Sequence, residues 1–441
     1  MPRLLLAVAC LSALLCAVGR AASAAPAAPK PNIVFILADD YGIGEVGCYG
    51  ADHYKTPNID ALAAGGMRFT RGYTVPLCGP SRAQILTGRY GFRNGATNQD
   101  ATREFTTAEK MIPAALKPAG YVASMVGKWG QLPLGPAEFG FDDYLKFNGS
   151  GAYWNTQTKA RSYLVNGEKR ELPDRVYLPD VMHDHIAAFL AKNRERPFFL
   201  FYSLSHVHTE ILPTPDSPPD SQDLYGDNVR YMDKLVGKLV AELEKLKLRE
   251  RTLIVFLGDN GTGEARSDRA TIGGRRLAGA KGDLLEGGAL VPLIVNFPGL
   301  VPAGTVNAEP VDSTFLFPTF AALAGAPLPA GTALDGENIL PALRGARGTT
   351  RGWAFNQLAR QWWARDKKWK LNQAGELFDM SDAPFSEKLV PAGSTDAAAV
   401  AARARLAAVL AKLNPAGGVP DRGPESGRHA KNAAKREKKQ P

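Results

Sequence analysis

Five short runs of apolar residues are separated by longer polar and amphipathic stretches, and this alternation restricts the fold more than any other feature. The runs are residues 32–37, 121–126, 197–203, 252–257 and 290–297. Because they lack polar alternation, they indicate strands buried on both faces, as in a parallel sheet covered by helices. Residues 182–193 and 231–248 have the apolar spacing of amphipathic helices. The sequence therefore predicts an α/β fold with a large, mostly parallel central sheet flanked by helices.

The alternating pattern stops near residue 345, which suggests more than one domain in this chain of 441 residues. Short strand-like pieces rich in tryptophan follow, and then an alanine-rich helical stretch from about residue 396 to 413. We expect a main domain over residues 25–345, which carries the candidate catalytic residues below. A small C-terminal α+β domain is expected over residues 346–415, and a basic, disordered tail over residues 416–441.

Residues 1–24 have the pattern of a secretory signal peptide, with Arg3, an apolar run over residues 4–18 and the small residues Ala22-Ser23-Ala24. The run is shorter than the roughly 20 apolar residues that a membrane-spanning helix needs, and no later segment is long enough. We therefore expect an exported protein, periplasmic or secreted, without a transmembrane segment.

The formal net charge of +9 is concentrated at the two ends of the chain. Arg3 and Arg20 lie in the leader, and residues 421–441 hold seven Lys/Arg against three Asp/Glu. The body between them is nearly balanced. A nucleic-acid partner is therefore not expected.

Reactive polar residues directly follow four of the predicted strands. They are Asp39-Asp40, Lys128, the pair His206 and His208, and Asp259-Asn260. In an open α/β sheet the ligand crevice lies beyond the carboxyl ends of the strands, so the fold would bring these distant residues together. Taken alone, an Asp-Asp pair after a strand is also common as a turn or helix cap.

Three carboxylates and one amide oxygen in this set suit a hard divalent cation. Asp39, Asp40, Asp259 and Asn260 offer only oxygen donors, which favours calcium, with magnesium as the alternative, over zinc. A cation would also relieve the repulsion between the carboxylates.

A second candidate site is the string Cys78-Gly79-Pro80-Ser81-Arg82. Pro80 suits a first helical position, and Gly88 suits a helix end. Cys78 is therefore predicted at or just before a helix N-terminus, where an anionic group is stabilised. An inert, packed cysteine is the alternative interpretation.

Residues 31–90 resemble the N-terminal half of a type I sulfatase of the alkaline phosphatase superfamily, and the resemblance continues through nearly the whole mature chain. The matching motifs are Pro31-Asn32-Ile33-Val34-Phe35-Ile36-Leu37-Ala38-Asp39-Asp40, Thr56-Pro57-Asn58-Ile59-Asp60-Ala61-Leu62-Ala63, the C-x-P-S-R signature at 78–82, Gly127-Lys128-Trp129, Gly140-Phe141-Asp142, Gly258-Asp259-Asn260-Gly261, Lys281-Gly282 with Glu286-Gly287-Gly288, Trp369-Lys370-Leu371 and Glu376-Leu377-Phe378-Asp379. These motifs follow the order found in the family.

The resemblance implies hydrolysis of sulfate esters, as in arylsulfatases, on a sulfated small molecule or polysaccharide. Cys78 would be converted by a formylglycine-generating maturation enzyme to formylglycine, whose hydrate is the nucleophile. The roles implied for the remaining residues are as follows: Asp39, Asp40, Asp259, Asn260 and the modified residue 78 at the metal, Arg82 beside the hydrate, Lys128 and Lys281 on the sulfate oxygens, and His208 as the acid for the leaving alcohol.

One position departs from the family pattern. Members usually have histidine two residues after the lysine, and this chain has Gly130 followed by Gln131. Gln131 or a nearby histidine would have to fill that place. Two alternatives therefore stay open: a phosphonate or phosphate ester hydrolase of the same superfamily, and a catalytically impaired homologue that binds sulfated glycans.

Overall fold

The computed structural model describes residues 30–130, 132–147, 149, 153–155, 161–347 and 350–421. Its α-helices are α1 (Pro57–Ala64), α2 (Cys78–Thr87), α3 (Gly91–Asn94), α4 (Ile112–Leu116), α5 (Leu178–Lys192), α6 (Leu224–Lys245), α7 (Glu286–Ala289), α8 (Leu316–Ala324), α9 (Leu340–Leu343) and α10 (Ala397–Leu413). Its strands are β1 (Asn32–Ala38), β2 (Met67–Tyr73), β3 (Val122–Lys128), β4 (Asp143–Phe147), β5 (Ser162–Val165), β6 (Glu168–Glu171), β7 (Phe198–Leu204), β8 (Thr252–Gly258), β9 (Thr271–Ile272), β10 (Arg275–Arg276), β11 (Leu290–Asn296), β12 (Thr305–Asn307), β13 (Val311–Asp312), β14 (Ala354–Leu358), β15 (Gln361–Arg365), β16 (Trp369–Asn372), β17 (Leu377–Asp379) and β18 (Lys388–Val390).

A central sheet of 11 strands organises the described part of the main domain, in the order β12-β2-β11-β8-β1-β7-β3-β4-β5-β6, with β13 also paired to β2. The middle strands β8, β1, β7, β3 and β4 are parallel to one another. All five apolar runs are strands of this sheet, which confirms the predicted architecture. One of them, β11, runs antiparallel to its neighbours β8 and β2.

The central strands have hydrophobic packing on both faces. In β1, Ile33, Phe35 and Leu37 belong to one core cluster, whereas Val34, Ile36 and Ala38 belong to another. The first cluster includes residues of α2, α4 and α8, and the second includes residues of α1, α5 and α6. Continuous apolar strands are thus explained by helices on both sides of the sheet.

A second sheet forms the C-terminal domain. Strands β14–β18 are antiparallel in sequence order, and α10 covers them. The domain is fixed to the main domain by a buried ion pair between Arg365 and Glu286, 2.7 Å apart. The Trp363 ring also packs edge-on against Tyr73, with ring centroids 5.3 Å apart.

Residues 416–421, which were assigned to the predicted tail, form hydrogen bonds with the main domain. Within residues 416–421, the Val419 N–H donates to the Phe92 carbonyl, and the Asp421 carboxylate accepts from Thr97 at 2.7 Å. Residues 422–441 and the leader at 1–24 lie outside the described residues. No helix of the described chain combines the length and the apolar character that crossing a bilayer requires.

Candidate active site

The parallel strands bring the predicted polar residues to one edge of the sheet. Asp39 follows β1, Asp259 follows the adjacent β8, and Lys128 is the last residue of β3. The Asp259 N–H donates to Ala38, and the Asp39 N–H donates to Leu204, so the sheet hydrogen bonding extends up to these side chains. The backbone at Asp39 and Asp259 is therefore held by the central sheet.

Helix α2 delivers Cys78 to the same place. The helix begins at Cys78, two residues before the predicted start at Pro80, and it ends at Thr87, with Gly88 as its C-cap at φ 65°. Burial raises the pKa of the Cys78 thiol, although Lys128 and Lys281 oppose this effect. Because the thiolate is the nucleophilic form, the unmodified Cys78 is a poor nucleophile at neutral pH.

Arg82, one turn further along α2, joins the helix to three strand ends. Its guanidinium donates to Asp259 at 2.9 Å, to the Ser203 hydroxyl at 2.6 Å and to the Lys128 carbonyl at 3.0 Å. The side chain is 1% exposed. A planar guanidinium with several fixed donors suits such a junction, and an ammonium group would not satisfy it.

Acidic and basic side chains alternate beside Cys78. Lys128 bonds Asp39, and the Lys281 ammonium lies 2.5 Å from Asp40. The Asn260 amide donates to Asp40 at 2.9 Å, and an Asp259 oxygen accepts from the Asp40 N–H at 3.1 Å. The structure thus brings together every residue predicted for the metal and sulfate sites.

Burial disturbs the protonation of these carboxyl groups. Burial and the neighbouring Asp39 raise the pKa of Asp259 to about 8. Burial acts in the same direction on Asp39, but Lys128 and Arg82 outweigh it and hold the pKa of Asp39 well below its usual value. A further positive charge beside Asp259 would favour its ionised form.

Two oxygen atoms in this cluster fit a metal site. Asp39 Oδ1 and Asn260 Oδ1 are buried and accept no hydrogen bond from any described residue. Asp39, Asp40 and His208 also each offer a ligand atom within 4.8 Å of the other two. A cluster of oxygen donors with unsatisfied lone pairs can bind a hard divalent cation.

The two candidate histidines differ in environment. His206 is fully buried beside the rings of Tyr153 and Tyr231, and burial lowers its pKa to about 3. His208 is partly exposed, and its Nε2 lies 3.7 Å from an Asp40 oxygen. Burial lowers the pKa of His208, while Asp39 and Asp40 oppose the change. Of the two, His208 is the one that lies beside the acidic cluster.

Gly130 leaves no side chain where the family has histidine. Its φ is +93°, and a Cβ there would lie 3.0 Å from Arg82 Cδ. A larger residue would therefore require Arg82 to move. Gln131, the predicted substitute, lies outside the described residues.

The sequence analysis missed two residues of the site. The Ser203 hydroxyl accepts a hydrogen bond from Arg82. Gln99 lies at the N-terminus of α2, where its carboxamide oxygen accepts from the Gly79 N–H at 3.2 Å. Ser203 closes an apolar run and could have been considered with the other strand ends. Gln99 lies in a polar loop without a recognisable motif.

The chain is similar to known sulfatases in sequence and in structure. A family model described as Sulfatase matches residues 31–326. The N-acetylgalactosamine-6-sulfatase of Canis lupus familiaris is 34% identical over 376 residues, covering 76% of this chain and 70% of the relative. Arylsulfatase A of Homo sapiens is 35% identical over 365 residues, covering 74% and 70%. The crystal structure of Ps i-CgsB in complex with k-i-k-neocarrahexaose has a TM-score of 0.77 at 29% identity, covering 93% of this chain and 98% of that one.

Proposed function

Since this chain belongs to the sulfatase family and hydrolyses sulfate esters, we propose that it removes sulfate from a sulfated carbohydrate with residue 78 as the nucleophile. The observation that carries the proposal is the meeting of Cys78 with two lysines and the acidic cluster at one edge of the sheet. The N-acetylgalactosamine-6-sulfatase relative and the oligosaccharide complex favour a carbohydrate ester by their names.

The two lysines are the groups that bind the sulfate. The charges of Lys128 and Lys281 both act on Cys78, and both side chains are largely buried. Buried cations interact more strongly with an anion than exposed ones because less solvent screens them. We assign Lys128 and Lys281 to the sulfate oxygens, which orients the ester toward residue 78.

The proposed divalent cation is held by Asp39, Asp40, Asp259 and Asn260, with residue 78 beside them. When bound, the cation supplies positive charge that stabilises the ionised carboxylates and the negative charge of the reacting group. Calcium is our proposed ion because the donors are all oxygen atoms. The guanidinium of Arg82 fixes Asp259 in this arrangement through its 2.9 Å hydrogen bond.

We propose that Cys78 is matured to formylglycine, whose hydrated aldehyde supplies the attacking hydroxyl. One hydroxyl of the hydrate would attack the sulfur, the bond between sulfur and the alcohol oxygen would break, and His208 would protonate the departing alcohol. Loss of the proton from the second hydroxyl would then expel sulfate and restore the aldehyde. A bound sulfate ester favours protonated His208 because an anion stabilises the imidazolium, which opposes the lowering of the pKa by burial. Removal of water around the buried lysines strengthens their hold on the sulfate.

The deciding experiment measures both the maturation of Cys78 and the turnover of sulfate esters. Protein produced with a formylglycine-generating enzyme is digested with trypsin, and the mass of the peptide spanning residues 72–82 shows whether Cys78 is an aldehyde. Sulfate release is then measured from 4-nitrophenyl sulfate and from N-acetylgalactosamine 6-sulfate, with a phosphonate ester of the same phenol as the comparison.

We expect the aldehyde, sulfate release, and loss of activity in EDTA that calcium restores. Cys78→Ala should abolish turnover without unfolding the protein, whereas Cys48→Ala should remain active. An aldehyde-bearing protein that releases no sulfate, or that prefers the phosphonate ester, would contradict the proposal.

We also propose that the protein is exported after cleavage of residues 1–24 and that the catalytic and C-terminal domains meet near residue 345. The leader motif supports the first proposal. The change from the central sheet to strands β14–β18 supports the second. The N-terminal sequence of protein recovered from the periplasm or medium tests the cleavage.

A further inference from the structure

The side chain of Gln99 contacts residue 78 itself. Its carboxamide oxygen lies 3.8 Å from Cys78 Sγ, close enough to accept a hydrogen bond from the thiol, and it also accepts from the Gly79 N–H at 3.2 Å. The first N–H groups of a helix have no partners within the helix, so Gln99 satisfies one of them. None of the roles assigned above uses this residue.

Gly79 makes the approach of Gln99 possible. A Cβ at position 79 would lie 2.8 Å from Gln99 Oε1 and 2.8 Å from Thr102 Oγ1. Both distances are too short for a real side chain, so any other residue at the second position of C-x-P-S-R would push Gln99 away. Here the glycine provides space for a neighbouring side chain.

Contacts with the C-terminal part of the chain hold the loop that carries Gln99. The Ala359 N–H donates to the Thr97 carbonyl at 2.7 Å, and the Asp421 carboxylate accepts from Thr97 and Asn98. The Thr102 hydroxyl donates to the Gln99 carbonyl at 2.6 Å. The loop that carries Gln99 is therefore positioned by several hydrogen bonds outside the central sheet.

We propose that Gln99 is a catalytic residue of this site: its carboxamide oxygen accepts a hydrogen bond from the side chain at position 78 and fixes the direction of that side chain. The inference rests on the proposed function in that position 78 supplies the nucleophile. A neutral amide is suited to this place because it accepts a hydrogen bond without adding negative charge beside Lys128 and Lys281, which would weaken sulfate binding.

The first test uses the thiol form of the protein, made without the maturation enzyme. Iodoacetamide alkylation of Cys78 is followed by peptide mass for wild type, Gln99→Leu, Gly79→Ala and the double variant. Without the hydrogen bond the Cys78 side chain is no longer held in one direction, so we expect alkylation about tenfold faster in both single variants. The double variant should equal either single one, because both changes remove the same contact.

Two controls accompany this measurement. Gln222→Leu makes the same change on an exposed loop, and Cys48 in the same digests reports general loosening of the structure. Equal alkylation of Cys78 in wild type, Gln99→Leu and Gln222→Leu would overturn the inference. Faster alkylation of Cys48 together with Cys78 would overturn it too, since it would indicate a merely structural role.

The second test uses the matured enzyme with 4-nitrophenyl sulfate. With equal aldehyde content by mass, Gln99→Leu should lower kcat about tenfold and change KM less, because the contact orients the nucleophile and does not touch the sulfate. Unchanged kcat in Gln99→Leu overturns the inference. If matured wild type releases no sulfate from any ester, the proposed function fails, while the alkylation result still decides whether Gln99 controls residue 78.

Discussion

Among single residues, Arg82 is the one that links helix α2 to the central sheet. It is buried together with Asp259, and its other hydrogen bonds reach the ends of β3 and β7. The C-x-P-S-R signature predicted an arginine beside residue 78. The signature did not predict that the same side chain would fasten α2 to the sheet, since its partners lie 46 to 177 residues away in the chain.

Replacement of Arg82 tests this fastening. Arg82→Met removes the cation that Asp39 and Asp259 share and leaves the other hydrogen-bond acceptors of Arg82 unsatisfied, so we expect a loss of about 3–5 kcal/mol in the free energy of unfolding, measured in urea. Arg170→Met is the control because the Arg170–Glu168 pair is exposed, and its effect should stay within about 0.5 kcal/mol. Similar losses in the two variants would show that Arg82 has no special structural role.

Glu45 is a second buried residue with a measurable effect. Its carboxylate accepts from Gly42 at 2.7 Å and from Thr262 at 3.0 Å, which ties the loop after β1 to the loop after β8. Burial raises its pKa to about 7, although hydrogen bonds from Tyr225 and Gly42 oppose the change. The folded protein therefore holds a proton on Glu45 in a range where the unfolded chain has released it.

A pH dependence of stability follows from Glu45. Because the folded state binds the extra proton, the contribution of Glu45 to stability is full below about pH 4.5 and declines as the pH rises to about 7. The side chain in Glu45→Gln stays neutral at every pH in this range. From pH 5 to pH 8 the free energy of unfolding of Glu45→Gln should therefore rise relative to that of wild type by on the order of 3 kcal/mol. Parallel pH profiles of the two proteins in urea titrations would rule out this assignment.

At the scale of elements, the close pairing of β3 and β7 depends on Gly127. Its φ is +115°, and a Cβ would lie 2.0 Å from the Ser203 carbonyl oxygen. The strand could not shift without also moving Lys128, the next residue. The Gly-Lys-Trp motif thus combines a packing requirement with a functional side chain.

Two glycine substitutions separate the packing requirement from the backbone conformation. Gly127→Ala should cost more than about 4 kcal/mol, or prevent accumulation of folded protein, because backbone atoms would collide. Gly120→Ala has a similar positive φ of +87° but nothing within 4 Å of the new Cβ, so only about 1–2 kcal/mol is expected. Thermal unfolding of both proteins measures the difference, and equal losses would show that φ alone decides.

The strands that hydrophobicity predicts are those buried on both faces. Strands β1, β3, β7 and β8 are recognisable in the sequence as continuous apolar runs, because helices cover both sides of the central sheet. In β2, by contrast, buried Met67 and Phe69 alternate with the partly exposed Arg68 and Thr70, so the run is interrupted. The direction of β11 depends on its neighbours β8 and β2, which the local sequence does not specify.

For the whole molecule, the contact between the main and C-terminal domains combines apolar packing with a buried polar cluster. Arg365 and Glu286 are 1% and 2% exposed, and the Tyr73 hydroxyl donates to the same glutamate at 3.0 Å. The sequence predicted a second domain and its long helix, but not this contact or the docking of residues 416–421. Both arise from pairs far apart in the chain.

The interface is testable by removing one or both charges. Arg365→Met leaves Glu286 buried and unpaired, so a loss of about 3–5 kcal/mol is expected, whereas Arg365→Met with Glu286→Leu should recover much of it. The exposed pair Arg275–Asp382, which also joins the two domains, serves as the control, and Arg275→Met should unfold at nearly the same urea concentration as wild type. Urea unfolding of the four proteins decides, and a double variant no more stable than Arg365→Met would contradict the expectation.

All ten residues of α2 are buried, and this limits how the protein can diverge. A helix with no exposed face has no position where a substitution is free of packing cost, so most substitutions in it are expected to lower stability. Engineering for other esters would therefore begin at exposed positions of the surrounding loops, because the helix that carries residue 78 leaves little room for change.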